Sequence, residues 1–321
     1  MAITYTASTL QPAERPAFYF IGVTTGQSSI RRVFPAWAKA LGLGDVQMIG
    51  IDLPLHAPRE DYRTVVEFLA ADPLSLGALV TTHKIDLYRE ANDIFDEIDP
   101  LASLMGEVSC LSKRNRRLIA SAKDPFSAGY AIDAFLPAQH FADTGAEVFI
   151  MGAGGSAIAI DWYLTRPERG ANRPTRITVS NRSHPRLDAL NEIHEQASAD
   201  VPLTLEAAPT PADNDAVARR IPPHSVIINA TGLGKDAPGS PFSDEVGFPE
   251  GAYVWDLNYR GDLMFLSQAR AQEEERRLHV VDGWVYFLHG WTQVITEVFD
   301  IEIPVTGPVF DELAAIAAGM R

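Results

Sequence analysis

Of the 321 residues only Cys110 is a cysteine, which excludes an intramolecular disulfide and a cysteine-rich zinc site and fits a reducing cytoplasm. Positive charge is scarce as well. With 27 Lys plus Arg against 42 Asp plus Glu, the net charge of −15 would repel nucleic acid at every encounter, so no nucleic-acid partner is expected. No apolar run approaches the roughly 20 residues of a membrane helix, and no membrane association is expected. The opening stretch MAITYTASTLQPAERP lacks a basic start and a continuous apolar core, so it does not read as a secretory leader. No internal repeat or low-complexity segment stands out, and His289 has no second ligand at metal-binding spacing, so no metal is expected. What remains is an ordinary globular composition, 46% hydrophobic and 21% charged, long enough for two domains. In so acidic a chain an anionic ligand must be captured by locally placed cations. The run Glu273-Glu274-Glu275-Arg276-Arg277 reads as a solvated helix face.

The most informative stretch is EVFIMGAGGSA, residues 147 to 157. A short β-type run, Val148 to Met151, breaks into Gly152-Ala153-Gly154-Gly155-Ser156-Ala157 and then into the helical IAIDWYLTR. Gly-x-Gly-x-x-Gly/Ala at a strand-to-helix turn lets backbone approach a pyrophosphate and aims a helix N-terminus at its charge. Gly152 permits the tight turn, Gly154 removes the side chain that would block a cofactor, and Ala157 allows helix and strand to pack closely. A second strand, Arg176 to Ser180, follows at βαβ spacing and leads into Asn181-Arg182-Ser183-His184-Pro185-Arg186. An NAD site usually has a carboxylate here for the ribose hydroxyls, whereas a 2′-phosphate needs cations and hydroxyl donors. Arg182 can stack on adenine and pair with phosphate, and Arg186 can add a second charge, so NADP(H) is favoured over NAD(H); the alternative is a solvated charged loop.

Strand-like segments at Phe18 to Val23, Val46 to Ile51 and Ala78 to Thr81 alternate with helix-like ones at Ser29 to Leu41, Arg59 to Ala70 and Ile85 to Ala91. That rhythm predicts an α/β unit with a mostly parallel sheet. A hairpin is expected from Val108 to Ser112 and Arg117 to Ser121 around Lys113-Arg114-Asn115-Arg116, then a connecting helix from Pro125 to Leu136. Further strands are predicted at Val226 to Ile228, Val254 to Asp256 and His279 to Val281, with helices at Trp284 to Phe299 and Phe310 to Met320. The expected organisation is an N-terminal α/β substrate domain, residues 1–125 with 284–321, and a Rossmann-type dinucleotide-binding domain, residues 126–283, with a cleft between them.

Hydride transfer to a carbonyl builds an alkoxide, which needs a nearby proton donor and a partner to orient that donor. Lys84 follows Thr82-His83 where a strand ends and a helix begins, the place where open α/β sheets put ligands. Asp124 stands where the hairpin ends and a helix begins. Both also have plain structural readings, a surface lysine and an N-cap carboxylate.

Taken with its other motifs, the chain resembles the shikimate dehydrogenase family over nearly its whole length. The family's Gly-x-Pro-x-x-x-Ser-x-Ser is similar to Gly22 through Ile30, and its Asn-Val-Thr-x-Pro-x-Lys to Leu79 through Lys84, one residue shorter. Gly106 through Cys110 resembles Gly-Ala-Val-Asn-Thr, and Ala122-Lys123-Asp124 resembles Asn-Thr-Asp. The cofactor half matches more closely at Gly152 to Ser156, Asn181 to Ser183, Ile228 to Gly234, Asp256 to Tyr259 and Asp282-Gly283.

The resemblance implies an NADP-dependent oxidoreductase of the shikimate pathway, and so of aromatic amino acid biosynthesis, acting on a small carboxylate as monomer or homodimer. It implies that Lys84 and Asp124 are catalytic, with Ser28, Ser29, Thr81, Ser109, Lys123 and Tyr259 on the substrate side. The implied cofactor residues are Gly152, Gly154, Gly155, Ser156, Ala157, Asn181, Arg182, Ser183, Arg186, Asn229, Thr231, Gly232 and Gly283. The substrate half departs from the family: Ile30 stands for a carboxylate-binding Ser, Leu79 and Ser109 for two Asn, Lys123 for a Thr, and Gly290, beside His289, for a late Gln. A site loses discrimination when its hydroxyl-binding partners become apolar or shorter, which opens quinate-like and aminoshikimate-like substrates beside shikimate. A non-catalytic sensor of NADPH or a metabolite is a further alternative. Lys123, Arg31 and Arg32 could hold a differently placed carboxylate or phosphate, whereas Cys110 reads as a packed hydrophobe.

Overall fold

A computed structural model describes residues 3–197, 199–235 and 237–321. In chain order its strands are β1 (Thr4–Tyr5), β2 (Ala17–Gly22), β3 (Gln47–Asp52), β4 (Ser75–Val80), β5 (Glu97–Ile98), β6 (Cys110–Arg114), β7 (Arg117–Ser121), β8 (Val148–Met151), β9 (Ile177–Asn181), β10 (Leu203–Ala207), β11 (Val226–Asn229), β12 (Tyr253–Asp256) and β13 (His279–Val281). The α-helices are α1 (Ile30–Ala40), α2 (Arg59–Ala71), α3 (Lys84–Ala91), α4 (Pro100–Met105), α5 (Asp124–Phe135), α6 (His140–Thr144), α7 (Gly155–Thr165), α8 (His184–Gln196), α9 (Pro211–Ala218), α10 (Met264–Arg270), α11 (Glu273–Arg276), α12 (Trp284–Phe299) and α13 (Pro308–Ala318). The chain packs as two compact units, one made by the sequence up to Lys123 together with Gly290–Arg321, the other by Asp124–His289.

The first unit contains a seven-stranded sheet, among the described residues, in the order β1-β3-β2-β4-β6-β7-β5. Its first four members pair in parallel, while β6 runs antiparallel to both β4 and β7. β2, Ala-Phe-Tyr-Phe-Ile-Gly, is buried at every position, as a strand covered on both faces must be. In α1 the buried Ile30, Val33, Phe34 and Trp37 fall at helical spacing, and Trp37 Nε1 donates to Leu313 O at 2.8 Å, fastening α1 to α13. The hairpin turn is tighter than the sequence suggests. Asn115 and Arg116, at φ of 51° and 65°, form a two-residue turn of the left-handed type that matches strand twist, so Lys113 and Arg114 belong to β6.

The second unit carries a six-stranded, fully parallel sheet ordered β10-β9-β8-β11-β12-β13. Within the unit this is the strand order 3-2-1-4-5-6 of a doubly wound dinucleotide fold, whose order reverses between β8 and β11. β8 is buried throughout, as the innermost strand should be. The edge strand β10, with residues only partly covered, is not among the strands expected above, although Leu203-Thr204-Leu205-Glu206-Ala207 alternates apolar and polar. The acidic run at Glu273 forms the short exposed α11, ended by Arg277 at φ 53°. No described helix is long and apolar enough to cross a membrane.

Helices α5 and α7 pack closely because Gly129 has no side chain: a Cβ there would stand 2.1 Å from the Tyr163 ring, itself only 1% exposed. Gly129→Ala should therefore destabilise the protein by about 1–3 kcal/mol, the usual cost of overpacking, read as a lowered urea midpoint.

Candidate functional site

In the second unit the carboxyl ends of β8, β9 and β11 open onto a cavity of about 640 Å³. Its lining includes Gly152, Ala153, Gly154, Asn181, Arg182, Ser183, Arg186, Thr231 and Gly232. Gly152 is fixed by the protein itself. At φ 103° a Cβ would meet Ala230 O at 2.7 Å, so only glycine lets the turn after β8 pass the end of β11. Gly154 differs, because its φ of −97° suits any residue and a Cβ would meet no protein atom within 4 Å. No protein atom near it requires glycine there. Gly155, Ser156 and Ala157 continue from this turn as the first residues of α7.

At the end of β9, Arg182 and Arg186 are exposed on either side of Ser183, the N-cap of α8, and Asn181 Nδ2 donates to Ser183 O at 3.3 Å. The described lining residues include no carboxylate. Two guanidiniums and a hydroxyl thus stand together at a helix start on the rim of this cavity.

The floor is a hydrogen-bonded network. Asn229 Oδ1 accepts from Thr231 N at 3.1 Å and Thr231 Oγ1 at 2.7 Å, while its Nδ2 donates to Asp256 Oδ1 at 3.1 Å. Asn258 N also donates to Asp256 Oδ1, at 2.9 Å, and Asn258 Nδ2 reaches Leu233 O at 3.1 Å. These bonds hold the loop from Ala230 to Leu233. Burial pushes the Asp256 carboxyl up to about 6, against the bonds from Asn258 and Asn229 that favour its charge. Gly283 serves the packing of the backbone itself, since a Cβ there would stand 2.0 Å from Leu257 O. Tyr259 packs against Trp284 and Phe287, with ring centroids 5.3 and 4.8 Å away.

Asp124, 6% exposed, begins α5, and its Oδ2 accepts from the Tyr286 hydroxyl at 3.3 Å. Tyr286 in turn stands 3.3 Å from Ser156 Oγ. Sequence reasoning missed Tyr286, for which the available signal was a hydroxyl on the helical turn just after Asp282-Gly283. His289, beside Gly290, is buried, and that burial pushes its imidazole down to about 4, leaving it neutral.

In the first unit Lys84 opens α3, half-buried, directly after β4. Its backbone is pinned on both sides: Lys84 N donates to Thr81 O at 3.2 Å and Lys84 O accepts from Val108 N at 3.1 Å. The buried His83 next to it bonds Leu53 O at 3.0 Å and the Tyr62 hydroxyl at 3.1 Å. Burial holds His83 below the usual imidazole range, against its backbone hydrogen bonds, so it anchors the start of α3 as a neutral side chain. Ser28 follows a short 3₁₀ turn and Ser29 caps α1, both half-buried, whereas Ile30 is fully in the core.

Several cations read as free to meet a ligand are committed inside this unit. Lys123 Nζ pairs with Glu297 Oε2 at 2.7 Å, and Ser109 Oγ accepts from Lys123 N at 2.6 Å. Burial pushes the Glu297 carboxyl up, but the hydrogen bond and charge of Lys123, joined by Arg114, outweigh it and hold the group below the usual carboxylate range. Arg31 donates to Met48 O at 3.0 Å and Ile3 O at 2.6 Å, and Arg32 to Met320 O at 2.9 Å. Both guanidiniums are thus hydrogen-bonded to backbone carbonyls of their own unit, whereas the sequence offers them as cations that could hold a carboxylate or phosphate. A second cavity of about 680 Å³, bordered by Arg15, Arg31 and Lys39, has much of its charge spent similarly, since Arg15 pairs with Asp45. Burial drives the Cys110 thiol far above its ordinary range, which leaves it inert. Among the described residues no group of three or more His, Cys, Asp or Glu side chains could hold a metal ion.

No family model matches the chain. It is 28% identical over 235 residues to the shikimate dehydrogenase (NADP(+)) of Streptococcus gordonii, covering 72% of this chain and 74% of that one. It is 26% identical over 275 residues to the enzyme of that name from Sphingopyxis alaskensis, covering 85% and 86%. For the Streptococcus thermophilus relative of the same name the match spans 59% of its length. In fold, the chain is similar to shikimate dehydrogenase from Aquifex aeolicus, with TM-score 0.71 and 17% identity over 96% of this chain and 99% of that one. The same TM-score and identity relate it to quinate dehydrogenase from Corynebacterium glutamicum in complex with NAD, over 95% and 99%.

The buried carboxyl of Asp256 has a thermodynamic signature. Its folded value of about 6 lies above the unfolded value near 3.9, so its contribution to stability is complete below about pH 4 and is lost as pH rises through about 6. Asp256→Asn, which cannot ionise, should flatten that decline, a change on the order of 3 kcal/mol at neutral pH seen in melting curves taken from pH 4 to 7.

Proposed function

We propose that this chain, a homologue of the shikimate dehydrogenases by sequence and by fold, is an NADP(H)-dependent oxidoreductase interconverting a ring hydroxyl and a ketone on a small alicyclic hydroxy acid. The observation that carries the cofactor reading is the cavity at the strand-order reversal, where Gly154 leaves room that no protein atom uses and Arg182, Ser183 and Arg186 supply the phosphate cradle. In this reading the turn from Gly152 to Ala157 holds pyrophosphate and the arginines hold the 2′-phosphate. Asn229, Thr231 and Gly232 form the nicotinamide side. When bound, the cofactor supplies or accepts the hydride.

The protein's own contribution is then the proton. We assign the transfer to Lys84 and its orientation to Asp124, each at the start of a helix in its own unit. An ammonium can donate to the oxygen that gains electrons during reduction and recover its proton from solvent, while a carboxylate can hold that ammonium in one geometry. Ser28, Ser29, Thr81, Ser109 and Tyr259 are the assigned substrate contacts. With Ser109 in place of an Asn and Lys123, paired with Glu297, in place of a Thr, quinate-like and aminoshikimate-like ring acids stand as alternatives beside shikimate.

NADP⁺ reduction followed by absorbance, with shikimate, quinate and aminoshikimate, tests the reaction; tight NADPH binding with no turnover of any of them would favour the sensor alternative. Lys84→Ala should lower kcat by about 10²- to 10⁴-fold with little change in NADPH affinity, and undiminished turnover would remove Lys84 from the proton step. Arg182→Ala should weaken NADPH binding by about tenfold or more and NADH binding less, since NADH loses only the stacking on adenine, as judged by fluorescence titration. Equal wild-type affinities for the two nucleotides would overturn the phosphate assignment.

A further inference from the structure

Tyr286 lies in the first turn of α12, with its hydroxyl 3.3 Å from Asp124 Oδ2 and 3.3 Å from Ser156 Oγ. Both spacings exceed the roughly 2.7–2.8 Å typical of O–H···O bonds, so each contact is a long hydrogen bond. The direction of the chain follows from proton counting. The Tyr286 hydroxyl donates its single proton to Asp124 Oδ2, so its oxygen is left to accept the proton of Ser156. The ring meets Trp255 edge-on, with centroids 5.9 Å apart, and Trp255 is itself only 1% exposed, which fixes where the hydroxyl can stand.

We propose that Tyr286 is a positioning residue that ties the Asp124 carboxylate to the turn at Ser156. The inference rests on the cofactor reading above and adds a role to a residue outside the motifs that support it. Its consequence is that the two ends are not independent: an anion seated at the start of α7 competes for the Ser156 hydroxyl, and the change reaches Asp124 through one phenol. By reciprocity the state of Asp124 alters how well the turn receives that anion. A phenylalanine would keep the packing against Trp255 and remove the link.

The test is a double-mutant cycle read on NADPH affinity by fluorescence titration. Asp124→Ala, Ser156→Ala and their combination are measured once with Tyr286 present and once in a Tyr286→Phe background; Asp124→Asn replaces Asp124→Ala if the latter melts early. With Tyr286 present the two substitutions should be non-additive by at least about threefold, and in the Tyr286→Phe background they should become additive within error. Additivity in the presence of Tyr286, or coupling that survives Tyr286→Phe, would overturn the tie while leaving the cofactor reading intact. Failure of the wild type to bind NADPH would instead overturn the cofactor reading and the tie with it.

Discussion

The close pass of Gly152 beneath the carbonyl of Ala230 is the constraint on which the second unit is organised. Two innermost parallel strands, β8 and β11, send their chains away in opposite directions, and the space between their ends exists only because no Cβ intrudes at Gly152. From that point α7 departs with its N-terminus facing the opening, and the loop held by Asn229 and Asp256 closes the other side. The cavity is thus a product of strand order and one backbone approach, and the side chains around it decorate a space already made.

Much of the second unit was legible because its chemistry is written locally. The glycine turn, the arginines after β9 and the buried strands β8 and β11 each announce themselves within a few residues, and the parallel order follows from their alternation with helices. β10 is absent from the sequence reading although Leu203-Thr204-Leu205-Glu206-Ala207 alternates apolar and polar; the signal is five residues long and lies on a half-covered edge strand. The turn at Asn115 and Arg116 was placed in the right segment but drawn too long, because a left-handed pair of residues depends on backbone dihedrals that composition does not reveal.

The positions of candidate residues were legible where they depend on a single element, as with Lys84 at the start of α3 and Asp124 at the start of α5. They were least legible where side chains pair with partners distant in sequence. Glu297 lies within an otherwise largely apolar helix, and nothing near Lys123 in the chain says that the two will meet; Tyr286 and Ser156 are similarly remote. Charge alone misleads in such an acidic chain. Its few cations are in demand for internal pairing, so an arginine or lysine near a motif is as much a solution to a carbonyl or carboxylate nearby as a hook for a ligand.

The contiguity of the second unit bears on how the molecule is made. Asp124–His289 is one unbroken stretch, whereas the other unit is split around it and receives α13, with the Leu313 carbonyl that Trp37 needs, only after about half the chain has intervened. During synthesis the inserted unit can complete its sheet as soon as β13 leaves the ribosome. The earlier seven strands must wait with the α13-facing surface of α1 uncovered, so the newborn chain is most exposed to misassembly in the half that was translated first.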